Sequence, residues 1–377
     1  MNVQGPSISL PAGPDMRTVK RVLIVKLSSI GDVVHALPVS AALGDAFPHI
    51  EISWVVEQMS APMVEGNPYV KEVIVLPPEW RKNRLSTGSF RVFGRLRQEL
   101  RAREFDVAID LQGLSKSAIV AWASGARYRY GYDWLRELAP YLEARVPRRR
   151  ESVHVVEQFL DVARFLGAPV EQVKFPLAIP AEAAESARAK LCEAGIAPER
   201  PFLVLNPSSG GGGNKGWGAE RFAALLSEIQ SDPGLPAVMI GGKGDMEVAA
   251  EIQRLAKRAP VSIVGQTNLK ELAAVLRDCA VHLCGDTGSA HIAAALGTRV
   301  VSIFGRSNPA RLAPYGQEDL AIHHRERCAL PCLRFHETAP VNSKQKCLAP
   351  PPRCLAAVTV EEVAAAVRRA AAGVCAA

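Results

Sequence analysis

The sequence predicts an α/β protein with two Rossmann-like domains, each a parallel sheet covered by helices on both faces. Three observations carry this. Short apolar, β-branched runs alternate with segments of helical spacing from Lys20 to Leu166, and the alternation restarts at Glu182. A Pro- and Ala-rich stretch, Pro169 to Pro180, separates the two series and reads as a linker. A chain of 377 residues is also too long for a single hydrophobic core.

Taken in order, residues 1–16 contain Pro and Gly but no basic start followed by an apolar block, so they are expected to be a disordered tail and not a secretion signal. Lys20 to Lys26 (KRVLIVK) reads as a buried strand, and Leu27 to Asp32 (LSSIGD) as a turn into a helix from Val33 to Ala46. Glu51 to Glu57, Glu72 to Leu76 and Asp106 to Leu111 are strand patterns, with helical patterns at Ser89 to Arg103 and Leu114 to Ser124. From Tyr128 to Glu151 the periodicity breaks down into a stretch holding Arg129, Arg136, Arg145, Arg148, Arg149 and Arg150. Such a run is usually a solvated face. Arg81 and Arg136, however, sit beside Trp80 and Trp134, which suits a wall that grips a phosphate or carboxylate. A helix from Val153 to Leu166 closes the first domain, placed at 17–180.

The second domain, placed at 181–357, has strand patterns at Phe202 to Asn206, Ala237 to Ile240, Val261 to Val264, Ala280 to Cys284 and Arg299 to Phe304. Its helical patterns are Glu182 to Ala194, Ala219 to Ser231, Met246 to Ala259 and Leu269 to Cys279. A capping box, Thr359 and Glu362, opens a last helix within 358–377, expected to pack back across the domain junction.

Composition narrows the classes of function. With 48% hydrophobic and 22% charged residues both domains are expected to be globular and soluble, and the net charge of +7 points to an acidic partner: nucleic acid, an anionic membrane surface or a phosphorylated substrate. No run of about 18 apolar residues exists to span a membrane, and the default compartment is the cytoplasm. Cys192, Cys279 and Cys284 fall in helix or strand patterns that suit a reduced, packed thiol. Cys328, Cys332, Cys347 and Cys354 are spaced more loosely than a zinc ribbon, so reduced thiols are the expectation ahead of a structural metal.

Two turns of the second domain suit an anion. Cys284 to Gly297 (CGDTGSAHIAAALG) reads as strand, tight turn and helix, and its glycines and helix N-terminus favour phosphate at Asp286, Thr287 and Gly288. His291 is placed about one turn inside that helix. An ordinary capped helix after a buried strand fits the same residues. Pro207 to Trp217 (PSSGGGGNKGW), with Ser208, Ser209 and Lys215, adds backbone donors and a positive charge. It matches neither GxxxxGK[ST] nor GxGxxG, so neither a P-loop nor a nicotinamide site is expected.

Three motifs in order then carry a resemblance: Val25 to Pro38 (VKLSSIGDVVHALP), Asn214 to Trp217 (NKGW) and Gly285 to His291 (GDTGSAH). The chain resembles glycosyltransferase family 9, the ADP-heptose:lipopolysaccharide heptosyltransferases, from about Arg21 to Val367. Trp54 to Glu57, Trp80 to Lys82, Asp110 to Ala118 and Tyr132 to Glu137 make it most similar to the type that adds the first heptose to Kdo-lipid A. The resemblance implies a GT-B architecture, with the acceptor on the N-terminal domain, the donor on the C-terminal domain and inverting transfer that requires no metal or other cofactor. It implies Asp32 as general base and donor contacts from Lys215, Asp286, Thr287, Gly288 and His291, with Asp245 or Glu247 on the ribose. Lys215 would also offset charge on the leaving ADP. Ser28, Ser29 and Gly31 would line the acceptor side around Asp32, and Arg81, Lys82 and Arg136 would meet the acceptor's anionic groups. The basic segment Arg145 to Arg150 suits anionic headgroups at the cytoplasmic face of the inner membrane.

Two departures stand against the family pattern: the run Gly210 to Gly213, and Gly218 where proline is common. A later-acting heptosyltransferase, a relative using another nucleotide sugar, and a nucleotide-sugar binder without catalysis remain alternatives. Nucleic-acid binding has only the net charge to recommend it, with no recognition helix, zinc finger or aromatic RNA-binding motif.

Overall fold

Each half of the chain builds a six-stranded sheet in which every recorded pairing is parallel. The computed structural model describes residues 8–77, 79–82, 87–208, 216–231, 234–305, 307–327 and 353–374, without the side chains of 81–82, 87–90 and Arg325. The chain divides into two units, Met1–Ala178 and Ile179–Ala377.

The first unit runs β1 (Arg21–Val25), α1 (Ile30–Ala46), β2 (Glu51–Glu57), β3 (Glu72–Leu76), α2 (Glu79–Lys82), α3 (Thr87–Arg101), β4 (Val107–Asp110), α4 (Ser115–Ala123), β5 (Tyr128–Gly131), β6 (Ala144–Arg145) and α5 (Val155–Phe165). Its strands lie in the order β3-β2-β1-β4-β5-β6. Helices cover both faces, so the central strands are buried along their length: all of β4, and all of β1 after Arg21. On one face Leu23, Val25 and Val55 pack with Leu96 and Leu100 of α3 and Val120 of α4. Helices α1 and α5 pack against each other.

Strands β5 and β6 lie in the arginine-rich stretch where sequence periodicity failed. They are short and border polar residues, and Arg129 is consumed internally: its guanidinium donates to the carbonyls of Ala126 at 2.7 Å and Leu142 at 3.1 Å. Arg148 and Arg149 are half exposed, Arg148 3.7 Å from Asp133 and Arg149 3.8 Å from Asp161.

The second unit runs α6 (Ala181–Glu193), β7 (Leu203–Asn206), α7 (Ala219–Ile229), β8 (Ala237–Met239), α8 (Met246–Leu255), β9 (Val261–Ser262), α9 (Leu269–Asp278), β10 (Val281–Gly285), α10 (Gly288–Ala295), β11 (Arg299–Phe304), α11 (Pro309–Leu312) and β12 (Ala321–His323), followed by two C-terminal helices, Arg353–Ala356 and Val360–Val374. The sheet order is β12-β11-β10-β7-β8-β9, which repeats the pattern of the first unit. Alternate residues Leu203 and Leu205, Val281 and Leu283, Val301 and Ile303 enter one core with Phe222 and Leu226 of α7. Sequence reading missed β12 and α11, both under five residues long.

The C-terminal helix, set apart by sequence as a crossover segment, belongs to this same core. Val363, Ala364, Ala366, Val367 and Ala370 are fully buried in it, and the helix packs on α7, β10 and β11. Ahead of it, Trp217 Nε1 donates to the Val358 carbonyl at 3.0 Å and ties the α7 entry to the C-terminal segment. Cys279, Cys284 and Cys354 are buried, whereas Cys192 is exposed on α6, correcting the expectation that it packs inward. Cys328, Cys332 and Cys347 lie outside the described residues. No helix among the described residues is long and apolar enough to cross a membrane.

One buried group stands out energetically. Glu143 is fully buried just before β6; neither carboxyl oxygen finds a donor among the described residues, and the protonated group is placed to donate to Asp110. Burial, reinforced by the negative charge of Asp110, raises its pKa well above the ordinary carboxylate range. The folded state therefore holds a proton that the unfolded state releases, so stability falls as pH rises above the unfolded carboxylate pKa of about 4.3. Glu143→Gln is neutral at every pH. Thermal melts from pH 5 to pH 9 are expected to show the variant gaining on the wild type as pH rises; parallel curves would contradict a protonated Glu143.

Candidate active site

Open parallel sheets bind ligands past the carboxyl ends of their strands, where neighbouring connections leave in opposite directions. Here those points are β1/β4 in the first unit and β7/β10 in the second. The loops at these four strand ends are Leu27 to Ser29, Leu111 to Leu114, the segment beginning at Pro207, and Asp286 to Thr287.

In the first unit Asp110, the last residue of β4 and fully buried, organises the turn. Its Oδ1 accepts the N–H groups of Gln112 at 2.7 Å and Gly113 at 3.0 Å, and its Oδ2 accepts the Ser117 hydroxyl at 2.7 Å. Burial raises the Asp110 pKa, and these three bonds with the nearby Lys26 charge oppose the rise. Gln112, held by its backbone, presents Oε1 to the N–H groups of Leu27 at 3.3 Å and Ser28 at 3.2 Å. Lys26 is buried, donates to the Leu111 carbonyl at 2.8 Å and stands 4.8 Å from the centre of the Phe159 ring. The two loops are thus cross-braced.

Asp32 falls on the first turn of α1, which begins at Ile30 after Ser29 as N-cap. Its Oδ2 accepts the Ser29 N–H at 3.1 Å and the Ser29 hydroxyl at 2.8 Å, so the carboxylate is fixed at the mouth of the loop. Ser28 is half-buried, Ser29 exposed and Gly31 buried. Beside them the Lys116 ammonium spans Ser28 Oγ at 3.3 Å and Glu57 Oε1 at 2.8 Å.

Arg136 is brought to the same strand edge. Its N–H donates to the Gly113 carbonyl at 2.9 Å, and Glu137 Oε2 and Ser115 Oγ strap the segment to the start of α4 at 3.0 and 3.1 Å. Gly113 is required: its φ is +68°, and a Cβ would stand 2.5 Å from the Trp134 carbonyl oxygen. Arg136 Nε is buried with no hydrogen-bond partner among the described residues. Arg81 and Lys82 end α2, and their side chains lie outside the described residues.

In the second unit a directional chain of hydrogen bonds joins β7, β10 and α10. His282 is fully buried, and burial pushes its pKa down to about 4, so the ring is neutral. Its Nδ1 faces the Val204 carbonyl at 3.1 Å and must donate, leaving Nε2 to accept the Ser289 hydroxyl at 3.0 Å. With its proton committed, Ser289 Oγ accepts from Asn206 Nδ2 at 3.0 Å and from the Thr287 hydroxyl at 2.9 Å. Asn206 Oδ1 in turn accepts the Ser208 N–H at 3.1 Å and hydroxyl at 2.6 Å. Thr287 is the N-cap of α10, but its hydroxyl turns into this chain, and no side chain caps the helix. An uncapped N-terminus behind Gly285 favours an anion.

His291 is buried in α10 with Nε2 4.0 Å from Asp286 Oδ1. Asp245 Oδ2 accepts the Gly242 N–H at 2.8 Å within its own turn, while Glu247 is exposed on the first turn of α8. Ser209 and Lys215 lie outside the described residues. Among the described residues no group of three or more His, Cys, Asp or Glu is placed to hold a metal ion. Sequence reading missed Asn206, His282 and Ser289, whose only local signal is a polar histidine inside the apolar run Ala280 to Cys284, and it missed Lys116 and Gln112 as loop braces.

Comparison with known proteins identifies the family. The family model for glycosyltransferase family 9 (heptosyltransferase) matches residues 93–341. Lipopolysaccharide heptosyltransferase 1 of Pseudomonas aeruginosa is 31% identical over 319 residues, covering 83% of this chain and 86% of its own. The Escherichia coli heptosyltransferase WaaC, solved with ADP, superposes with a TM-score of 0.70 at 25% identity, covering 93% of this chain and 99% of its own. A glycosyl transferase family 9 protein from Veillonella parvula gives a TM-score of 0.78 at 22% identity, over 94% of this chain and 98% of its own, a likeness of fold.

Ser289→Ala removes the shared node of the β7–β10–α10 chain and leaves the Asn206 amide and His282 Nε2 without that partner. The expected loss is about 1–3 kcal/mol, read as a lower urea midpoint. An unchanged midpoint would mean that the node contributes nothing to stability.

Proposed function

The chain belongs to glycosyltransferase family 9 and is a glycosyltransferase, and from that premise we propose that it transfers L-glycero-D-manno-heptose from ADP-heptose to a Kdo residue of Kdo-lipid A, by inversion and without a metal. The observation that carries this reading is a likeness running through both units, 31% identity over 83% of the chain, to a lipopolysaccharide heptosyltransferase 1. A solved relative at 25% identity binds ADP, which favours an adenine nucleotide as the donor's carrier.

In this reading the second unit holds the donor. The uncapped α10 N-terminus, with Thr287 and Gly288, receives the pyrophosphate, and Lys215 adds a positive charge. Ser208, Ser209, Asp286 and His291 complete the donor site, with Asp245 or Glu247 gripping the ribose hydroxyls. The availability of the two differs: Asp245 already serves its own turn through Oδ2, and Glu247 is exposed.

The acceptor belongs to the first unit. Asp32 takes the proton from the attacking Kdo hydroxyl as its oxygen bonds the anomeric carbon and the bond to ADP breaks. Holding the carboxylate through Ser29 fixes its direction in advance, so little is reorganised during transfer. Positive charge builds on the sugar as it does in other glycosyl transfers, and negative charge builds on ADP, where the α10 N–H groups are suited to meet it. Ser28, Ser29 and Gly31 line the base, and Arg81, Lys82 and Arg136 meet the acceptor's carboxylates and phosphates. Arg136 Nε, buried and without a hydrogen-bond partner among the described residues, supports an anionic guest there.

The protein is placed peripherally on the cytoplasmic face of the inner membrane, held by exposed arginines such as Arg148 and Arg149. Vesicles of anionic lipid are expected to release it at roughly 0.5 M salt, where the Debye length is a few ångströms; retention through high salt would argue against electrostatic attachment.

The direct test is transfer in EDTA with wild type, Asp32→Ala and Asp32→Asn. A fall of at least about 100-fold in both variants with ADP affinity unchanged is expected for loss of a general base. Near-normal turnover in Asp32→Asn would remove Asp32 from that role, and loss of wild-type transfer in EDTA would remove the metal-free mechanism.

A further inference from the structure

Lys116 occupies an electrostatically awkward place. It is the second residue of α4, where the positive end of the helix dipole opposes a cation. It is held there by Glu57, the last residue of β2, whose side chain is 9% exposed, at 2.8 Å. The lysine side chain is only 22% exposed, so its stem is packed while its head reaches the loop of Asp32 through Ser28 Oγ at 3.3 Å. An ammonium has three N–H groups, and Glu57 and Ser28 occupy two. The residue belongs to Asp110 to Ala118, a stretch the resemblance singled out.

We propose that Lys116 is a further acceptor-binding and specificity-determining residue: its ammonium, set in place by Glu57, binds an anionic oxygen of the acceptor beside the hydroxyl that Asp32 deprotonates. Glu57 offsets the helix dipole and directs the lysine. The lysine side chain keeps 22% of its surface exposed, three residues from a buried turn whose backbone is fixed by Asp110. Arg136 lies on the same edge, tied to Gly113, so two cations of different geometry flank one loop: a planar fork for bidentate contact and a point charge for a single oxygen. The ligand chemistry is a carboxylate or a phosphate monoester, both present on Kdo-lipid A. The inference rests on the acceptor being bound by the first unit.

The test is steady-state kinetics of wild type, Lys116→Met and Lys116→Arg with three acceptors: Kdo-lipid A, its carboxyl-reduced form and its dephosphorylated form. Lys116→Met is expected to raise the acceptor KM about tenfold or more, the size of one charge-assisted hydrogen bond, with the donor KM unchanged and partial recovery in Lys116→Arg. The penalty should vanish on the one acceptor that lacks the bound group. Vanishing on the carboxyl-reduced acceptor identifies the carboxylate, and vanishing on the dephosphorylated acceptor identifies the phosphate. A fall in kcat alone, or an equal penalty on all three acceptors, would overturn the proposal and leave Lys116 as a brace for Ser28. ADP affinity reports the second unit separately, and native ADP binding in each variant excludes loss of that unit as the cause. No wild-type transfer to any of the three acceptors would instead count against the acceptor reading itself.

Discussion

Parallel pairing is the constraint on which the rest depends. Because β1 pairs with β2 and β4, and β10 with β7 and β11, all in one direction, the carboxyl ends of each sheet fall along one edge. Crossover helices must then cover both faces, which makes the central strands mostly apolar and leaves the loops beyond them as the places open to a ligand. Both sheets reverse their winding at corresponding positions, and both candidate loops emerge there. Asp32 and the α10 N-terminus are therefore products of the same topology used twice.

What distinguishes the two edges is how their loops are held. In the first unit a buried carboxylate, Asp110, gathers backbone donors, and Gln112 passes that order to Leu27 and Ser28. In the second unit the holding groups are neutral, and the direction of every hydrogen bond follows from the proton on His282 Nδ1. Each arrangement withdraws polar groups from water and so requires complete pairing. Glu143 has no donor for either oxygen among the described residues and faces the Asp110 carboxylate, so it is expected to stay protonated.

Much of this was legible in the sequence. The strand ends at Lys26 and Gly285, the turns after them and the helices that follow are encoded locally, in Gly, Ser, Asp and Thr placed before helical spacing. Thr287 could therefore be placed at the start of its helix from residues alone, whereas Asp32, read as the end of a turn before Val33, lies inside α1, which begins at Ile30. The arginine-rich stretch hid β5 and β6 because Arg129 spends its charge on carbonyls of Ala126 and Leu142, a use that sequence cannot separate from a solvated face. Ser289, His282 and Asn206 meet only through the register of β7 with β10, and Lys116 meets Glu57 across 59 residues. The C-terminal helix was found as a helix, but its place in the second unit's core depends on packing that a capping box does not report.

The enzyme chooses an acceptor as much as a donor, and product mass reports that choice. Wild-type protein is incubated with ADP-heptose and either Kdo-lipid A or Kdo-lipid A that already carries one heptose. One added heptose is expected on the first acceptor and none on the second. Addition to the second alone would assign the enzyme to a later step, and addition to neither in the presence of bound ADP would contradict the acceptor reading of the first unit.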